Sequence, residues 1–287
     1  MEEKARLILK GFELMGYHAI GIGDDDLTLG KEFLIELSKT SKLTFLSSNV
    51  IDENSGKTLF QRYVIKEVNG LKIGIFSLLS PDAFISASDP REKGLIFRDP
   101  FETAQEMVRE LGSQTDLIIL LSHLGYPKDV GLTQKVSGIH MIVGGHSGVH
   151  LSDPPVFKDT IILQTSSKGM YAARLDLTLL NNKASFYNIT TKRSLENNLN
   201  KLQLQLASVK ASDAERDRWQ RARESSEKAL KQLEGKNYFT NTISPLGQQV
   251  KDHPEIKKMV DDYKSKFPEK SESPIHDSRG VYQPKPQ

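Results

Sequence analysis

Residues 1 to about 193 alternate between segments with a helical spacing of apolar residues and short apolar runs. The first segment, "EKARLILKGFELMG", carries Leu7, Ile8, Phe12 and Met15 at helical spacing, and Gly16 closes it. This pattern is typical of an amphipathic helix that ends at a glycine. The chain then predicts a short buried strand in "YHAIGIG", a second helix in "LGKEFLIELSKTS" and a second strand in "LTFLSSNVI".

The middle of this part contains a turn pattern and a cap pattern. In "RYVIKEVNGLKIGIFSLL", Asn69-Gly70 separates two apolar runs, which predicts a β-hairpin. In "RDPFETAQEMVRELG", Asp99 stands as an N-cap before Pro100, and Gly112 follows the last apolar position. This order predicts an amphipathic helix that begins directly after Asp99.

Two continuous apolar runs, "DLIILLSH" and "HMIVGGH", end in His123 and His146. Such runs are typical of buried central strands, whose C-terminal ends carry functional groups. Antiparallel strands are predicted in "DTIILQTS" and in "ARLDLTLLNNKASFYNITT", where the last two are joined near Asn181-Asn182. We therefore predict an α/β fold for residues 1–193, a sandwich of two sheets with helices outside.

After Arg193 the strand pattern gives way to helical spacing, and a capping box at Ser212 to Glu215 starts another helix. Residues 194–267 are predicted to form an antiparallel helical hairpin and one further helix, with Asp252 as its cap and Pro254 in its first turn. Self-association through residues 195–234 stays open as an alternative to a hairpin within one chain. Residues 268–287 are polar and Pro-rich, and we expect them to be disordered. The apolar heptad positions are Leu195, Leu199, Leu202, Leu206 and Val209.

Composition excludes several classes of protein. Of the 287 residues, 37% are hydrophobic and 26% charged, and the net charge of +2 gives no support for nucleic-acid binding. The sequence contains no run of about 18 apolar residues, so it predicts no membrane helix. The absence of cysteine excludes disulfides, thiolate zinc sites and cysteine nucleophiles. The start, "MEEKARLILKG", lacks the apolar region of a signal peptide.

Polar residues follow three of the predicted strands. His123 and His146 are each followed by a glycine-containing turn, and "GIGDDDLTLG" places Asp24 to Asp26 after the first strand. Either histidine alone could cap a loop, and one aspartate could cap the helix that begins near Lys31. Two imidazoles together with carboxylates are nevertheless the ligand types of a transition-metal site.

A calcium-binding EF-hand loop is a competing interpretation of the aspartates. It fails because Leu29 stands where the loop needs glycine and Ile35 where it needs glutamate.

The same segments resemble the calcineurin-like metallophosphoesterases of the bacterial 5′-nucleotidase type. "GYHAIGIGDDDLTLG" followed by "FLSSNV" is similar to that family's G-Y-D-A-x-x-x-G-N-H-E-F-D-Y-G and F-L-S-A-N-V. "LIILLSHLGY" and "HMIVGGHSG" resemble its next two metal motifs, and "IILQTSSKGMYAARLDLTL" resembles the closing strands of its catalytic domain. The resemblance runs from about residue 2 to residue 193 and implies metal-dependent hydrolysis of a phosphate ester.

The chain departs from the family pattern at several ligand positions. Asp24 stands where the family has a metal-binding Asn, Asp25 where it has the catalytic His, Asp26 where it has Glu, and Gly148 where it has a second His or Gln. The family's first two motifs, D-x-H and G-D-x-x-x, do not occur ahead of these segments, so we expect an N-terminally incomplete domain. Any signal peptide would lie there too, because the family is mostly periplasmic or secreted.

The resemblance leaves Asp24, His123 and His146 as metal ligands, all belonging to one of the family's two metal ions. It therefore implies one Mn, Zn or Mg ion at most. Asp25 would replace the residue that protonates the leaving group, which predicts weak or impaired turnover. The substrate class implied is a small phosphate ester or nucleotide, without nucleic acid or membrane as partner. A non-catalytic relative that binds a metal, an anion or a partner protein is the alternative.

Overall fold

The computed structural model describes residues 1–84, 86, 88–181, 185–208 and 211–268. Its helices are α1 (Glu2–Leu14), α2 (Lys31–Lys39), α3 (Pro100–Leu111), α4 (Tyr126–Lys135), α5 (Ile189–Leu206), α6 (Asp213–Leu233) and α7 (Pro254–Lys266). Its strands are β1 (Ala19–Gly21), β2 (Thr44–Leu46), β3 (Val50–Asp52), β4 (Tyr63–Val68), β5 (Leu71–Leu79), β6 (Leu95–Phe97), β7 (Leu117–His123), β8 (Met141–Gly144), β9 (Val156–Phe157), β10 (Thr160–Leu163), β11 (Tyr171–Thr178), β12 (Phe186–Asn188) and β13 (Asn237–Pro245).

A six-stranded sheet in the order β4-β5-β7-β8-β10-β9 forms the centre of the fold. Strands β5, β7, β8 and β10 are parallel, whereas the hairpin predicted at Asn69-Gly70 makes β4 antiparallel to β5. The apolar runs of β5 and β7 are buried because helices α3 and α4 pack beside the sheet. The core here contains Phe76, Leu78, Met107, Leu120, Leu132 and Ile142.

A second layer holds the N-terminal elements. Strand β1 pairs in parallel with β2, and β3 pairs antiparallel with β6. The apolar faces of α1 and α2 pack against these strands around Leu9, Leu34 and Leu37. The predicted α/β class is therefore confirmed, with several sheets flanked by helices.

The two strands predicted on either side of Asn181 form and run antiparallel, but they are not hydrogen-bonded to each other. Strands β11 and β12 lie in one three-stranded sheet, but β13 stands between them, antiparallel to β11 and parallel to β12. The segment 194–267 is consequently not helical throughout. Strand β13 is favoured because it buries Asn237 and Phe239, and Phe239 joins the core with Phe186 and Ile161.

Helices α5 and α6 contact each other and run in opposite directions. The end of α5 meets the start of α6, where the Arg216 guanidinium donates to the carbonyls of Leu206 and Ser208. Further along, the Asn198 amide donates to the Ser226 hydroxyl. The capping box at Ser212 is present, and α5 begins a few residues before Arg193, at Ile189.

Helix α7 forms where "HPEIKKMVDDYKSKF" predicted it, but its N-cap is His253 instead of Asp252. It lies against α1, and Lys266 pairs with Glu3 at 3.8 Å. Of the helices described, none combines the length and apolar character needed to cross a bilayer. Three sequence predictions concern residues outside the described part of the chain: the heptad position Val209, the turn residue Asn182, and the disorder of 268–287, of which only Pro268 is described.

Asn49 ties three parts of this framework together. Its fully buried side chain accepts from the Leu79 amide at 3.0 Å and donates to the carbonyls of Leu79 at 2.8 Å and Arg98 at 3.2 Å. The next amide, Ser80 N–H, donates to the His123 carbonyl at 3.2 Å. Asn49 thus fixes the end of β5 next to the end of β7.

We predict that Asn49→Ala lowers the free energy of unfolding by about 2–4 kcal/mol, because three backbone groups in or near the core lose their partner. Urea unfolding followed by circular dichroism measures the change. The control is Asn54→Ala, since Asn54 lies exposed in a turn. Equal stability of the two variants would contradict this role.

Candidate metal centre

The predicted site residues lie at one edge of the central sheet. His123 is the last residue of β7, and His146 follows the end of β8 by two residues. Because β7 and β8 are parallel neighbours, their C-terminal ends lie side by side. Strand β1 passes close to this edge, since a Cβ on Gly21 would lie 2.6 Å from Ser77 Oγ. The loop that follows β1 carries Asp24.

Asp24, His123 and His146 form a compact group. The Asp24 Oδ1 lies 2.9 Å from His123 Nε2, and the rings of the two histidines are 4.9 Å apart. One possible ligand atom from each residue lies within 4.8 Å of the others. Two ligand atoms that each lie about 2.0–2.2 Å from one ion can be at most about 4.4 Å apart. Small side-chain rotations would therefore bring all three ligand atoms within reach of one ion. Two imidazoles and one carboxylate fit a divalent metal ion.

The backbone around these ligands is locally constrained. His146 has φ 67°, the left-handed region that non-glycine residues rarely adopt, and such strain is concentrated at functional sites. Gly23 packs against the His123 imidazole so closely that a Cβ would lie 2.8 Å from Cε1. Only glycine therefore lets the aspartate loop approach the histidine.

Arg91 is a positive charge that pairs with two of the three aspartates. Its Nη1 lies 2.7 Å from Asp24 Oδ2 and 3.1 Å from Asp25 Oδ1. Asp26 instead accepts from the Gly23 amide at 2.8 Å. The expected aspartate cap on the helix near Lys31 is wrong, because α2 begins after Gly30 without a side-chain cap. Sequence reasoning missed Arg91 because nothing in "SDPREKG" links it to a loop 67 residues away.

Asp129 is a second group that sequence reasoning missed. It lies fully buried on α4, accepts from the Ser122 hydroxyl through Oδ1, and has no hydrogen-bond partner for Oδ2 among the described residues. A Cβ on Gly144 would lie 2.8 Å from that Oδ2. Burial raises the pKa of Asp129 to about 7. The carboxyl thus lies between the strand ends that carry His123 and His146.

Comparison with known proteins shows which proteins this chain resembles. A scan against protein-family models finds no match. A 5′-nucleotidase of Vibrio cholerae is 29% identical over 213 residues, which are 63% of this chain and 38% of that protein. An NAD 5′-nucleotidase of Haemophilus influenzae is 38% identical over 136 residues, 46% of this chain and 22% of that protein. The calcineurin-like phosphoesterase YfkN of Bacillus subtilis superposes with a TM-score of 0.58 over 91% of this chain and 73% of its own, at 19% identity.

These matches confirm the resemblance found in the sequence. The chain has the calcineurin-like phosphoesterase fold, and its homologues are 5′-nucleotidases and related phosphoesterase-type hydrolases. The chain spans less than two-fifths of the length of the two curated relatives named above, 38% and 22%.

Asp129 generates a prediction about pH. Its carboxyl has a pKa of about 7 in the folded chain against about 3.9 when unfolded, so the folded state binds more protons between these values. Stability from this group is therefore lost as the pH rises from about 4 through about 7. Asp129→Asn should remove that slope, a difference on the order of 1–3 kcal/mol between pH 5.5 and 8.

Urea unfolding at several pH values checks this. The difference in pH dependence between the wild type and Asp129→Asn reports on the Asp129 carboxyl. The buried His140, whose pKa burial lowers, is present in both proteins and so does not contribute to the difference. Asp217→Asn, at an exposed position on α6, is the control. Parallel pH profiles for the wild type and Asp129→Asn would show that Asp129 does not titrate in this way.

Proposed function

We propose that this chain is a metal-dependent phosphoesterase of the 5′-nucleotidase type, with weak turnover and with a nucleotide or other small phosphate ester as substrate. The observation that supports this most is the convergence of Asp24, His123 and His146 at the ends of neighbouring strands. Homologues whose names describe them as 5′-nucleotidase and NAD 5′-nucleotidase support the substrate class.

In this proposal, Asp24, His123 and His146 hold one divalent cation, Mn²⁺, Zn²⁺ or Mg²⁺. Bound there, such a cation would polarise a phosphoryl oxygen and lower the pKa of a water molecule. Each imidazole offers a neutral nitrogen and Asp24 a negative oxygen. Arg91 holds the second oxygen of Asp24 and so keeps Oδ1 directed at His123.

Asp25 is proposed as the reason for weak turnover. It occupies the position at which the resembled family has its catalytic histidine, but its side chain is 96% exposed and paired with Arg91. A carboxylate there repels a phosphate and supplies no positioned proton, and loss of a general acid typically costs about 10²–10⁴-fold in rate. The alternative is a non-catalytic relative that binds a metal or anion.

For the C-terminal part, residues 194–267, we propose that α5 and α6 are a helical hairpin within one chain, although β13 of the same segment belongs to the sheet of β11 and β12. Leu202 is buried and Trp219 partly buried in the hairpin. Self-association through 195–234 would need this apolar face to open. A dimer in light scattering would favour self-association.

We predict measurable but weak binding of Mn²⁺ or Zn²⁺ that His123→Ala and His146→Ala each abolish, because three ligands with open positions suffice for a metal site. Isothermal titration calorimetry measures the binding. His253→Ala is the control, since His253 lies exposed at the start of α7.

Turnover of p-nitrophenyl phosphate and AMP should stay low, and Asp25→His alone should not restore it. Metal affinity that survives both histidine substitutions would refute the site. Brisk metal-dependent hydrolysis would refute the impairment, and metal binding with no detectable turnover would favour the non-catalytic alternative.

A further inference from the structure

Contacts outside the candidate metal centre hold the Arg91 side chain in place. It lies in the short helical turn Pro90–Glu92, where Asp89 accepts from Nε at 3.0 Å and from Nη2 at 2.8 Å. Its Cζ also lies 5.3 Å from the centre of the Phe84 ring. A guanidinium fixed by a two-point carboxylate contact and an aromatic face is preorganised, so it loses little freedom when it contacts an anion.

The remaining nitrogen, Nη1, has two partners that differ in exposure. The Asp24 side chain is 14% exposed, whereas that of Asp25 is 96% exposed. An exposed ion pair contributes little and is screened by salt. An anion from solution can therefore replace the Asp25 carboxylate at Nη1, while the Asp24 contact remains.

Asp24 connects Arg91 to the candidate metal centre. One of its oxygens lies 2.9 Å from His123 Nε2 and the other 2.7 Å from Arg91 Nη1. A cation held at the histidines and the guanidinium would thus approach one carboxylate from its two oxygens. Two positive groups around one site are suited to an anion with several oxygens, and the arginine fork matches phosphate geometry.

We propose that Arg91 is a phosphate-contacting residue of this site and that Asp25 occupies Arg91 Nη1 until a phosphate group displaces it. This inference rests on the proposed function, because it needs a cation at Asp24, His123 and His146. Asp25 then acts as a competitor of the substrate anion. Replacing it by a neutral residue of the same shape should strengthen phosphate binding, whereas replacing Arg91 should weaken it.

The test compares Arg91→Gln, Arg91→Lys and Asp25→Asn with Arg98→Gln. Arg98 is the matched control because it is an exposed arginine that pairs with Glu106 on α3. Mn²⁺ binding is followed by electron paramagnetic resonance, and inorganic phosphate is then titrated into the Mn²⁺-loaded protein by calorimetry. Circular dichroism checks that each variant is folded.

We expect every variant to bind Mn²⁺, with Arg91→Gln binding it more weakly than the wild type because Asp24 loses the partner of its second oxygen. Arg91→Gln should weaken phosphate binding roughly 10–100-fold, the range for loss of a hydrogen bond to a charged group. Arg91→Lys should lie between it and the wild type, because lysine keeps the charge and loses the fork. Asp25→Asn should strengthen phosphate binding roughly 2–10-fold, a gain that misfolding cannot mimic. Arg98→Gln should match the wild type.

Unchanged phosphate affinity in Arg91→Gln, or weaker affinity in Asp25→Asn, overturns the proposal. Loss of Mn²⁺ in Arg91→Gln also overturns it, because Arg91 would then only hold Asp24 in place. A Mn²⁺-loaded wild type that binds no phosphate overturns it as well and leaves the metal site intact. Failure of the wild type to bind Mn²⁺ overturns the proposed function itself, so the two failures are distinct.

Discussion

The parallel pairing of β7 with β8 is the constraint on which the candidate site depends. Parallel strands end on the same side of a sheet, so this pairing brings His123 and the turn at His146 together without any contact between their side chains being needed first. The neighbouring pairing of β5 with β7 adds Ser80 beside His123, and Asn49 fixes the end of β5. A change that shifted this register would separate the ligands even if every residue were kept.

Electrostatics decides what the loop of aspartates does on that framework. Adjacent carboxylates repel one another, and here a single guanidinium, fixed by Asp89 and Phe84, offsets two of them. Asp24 therefore stays directed at His123 instead of turning into solvent. The carboxyl of Asp129 is buried at the same strand ends. Its burial costs free energy, and the hydrogen bond from Ser122 offsets only part of that cost. Functional sites commonly hold their residues in arrangements that lower the stability of the fold.

The proposed function draws on the relatives, while particular residues set this chain apart from the resembled family. Its homologues are phosphoesterase-type hydrolases, and two imidazoles with a carboxylate suit a divalent metal. The resembled family has a histidine where this chain has Asp25, which pairs with Arg91. Arg91 beside Asp25 adds positive charge to the site. It does not act as a general acid at neutral pH, because its guanidinium does not lose a proton in proteins.

Short-range patterns in the sequence were enough to define the elements that depend on neighbouring residues. The hairpin at Asn69-Gly70, the helix capped by Asp99 and the capping box at Ser212 all appear as predicted, because each is stabilised by bonds within a few residues. The histidines at the ends of apolar runs were also visible. Strand β13 between β11 and β12, the pairing of Arg91 with Asp24 and the burial of Asp129 were not. Each of these depends on segments far apart in the chain, whose approach is decided by packing of the whole domain and leaves no mark in the local order of residues.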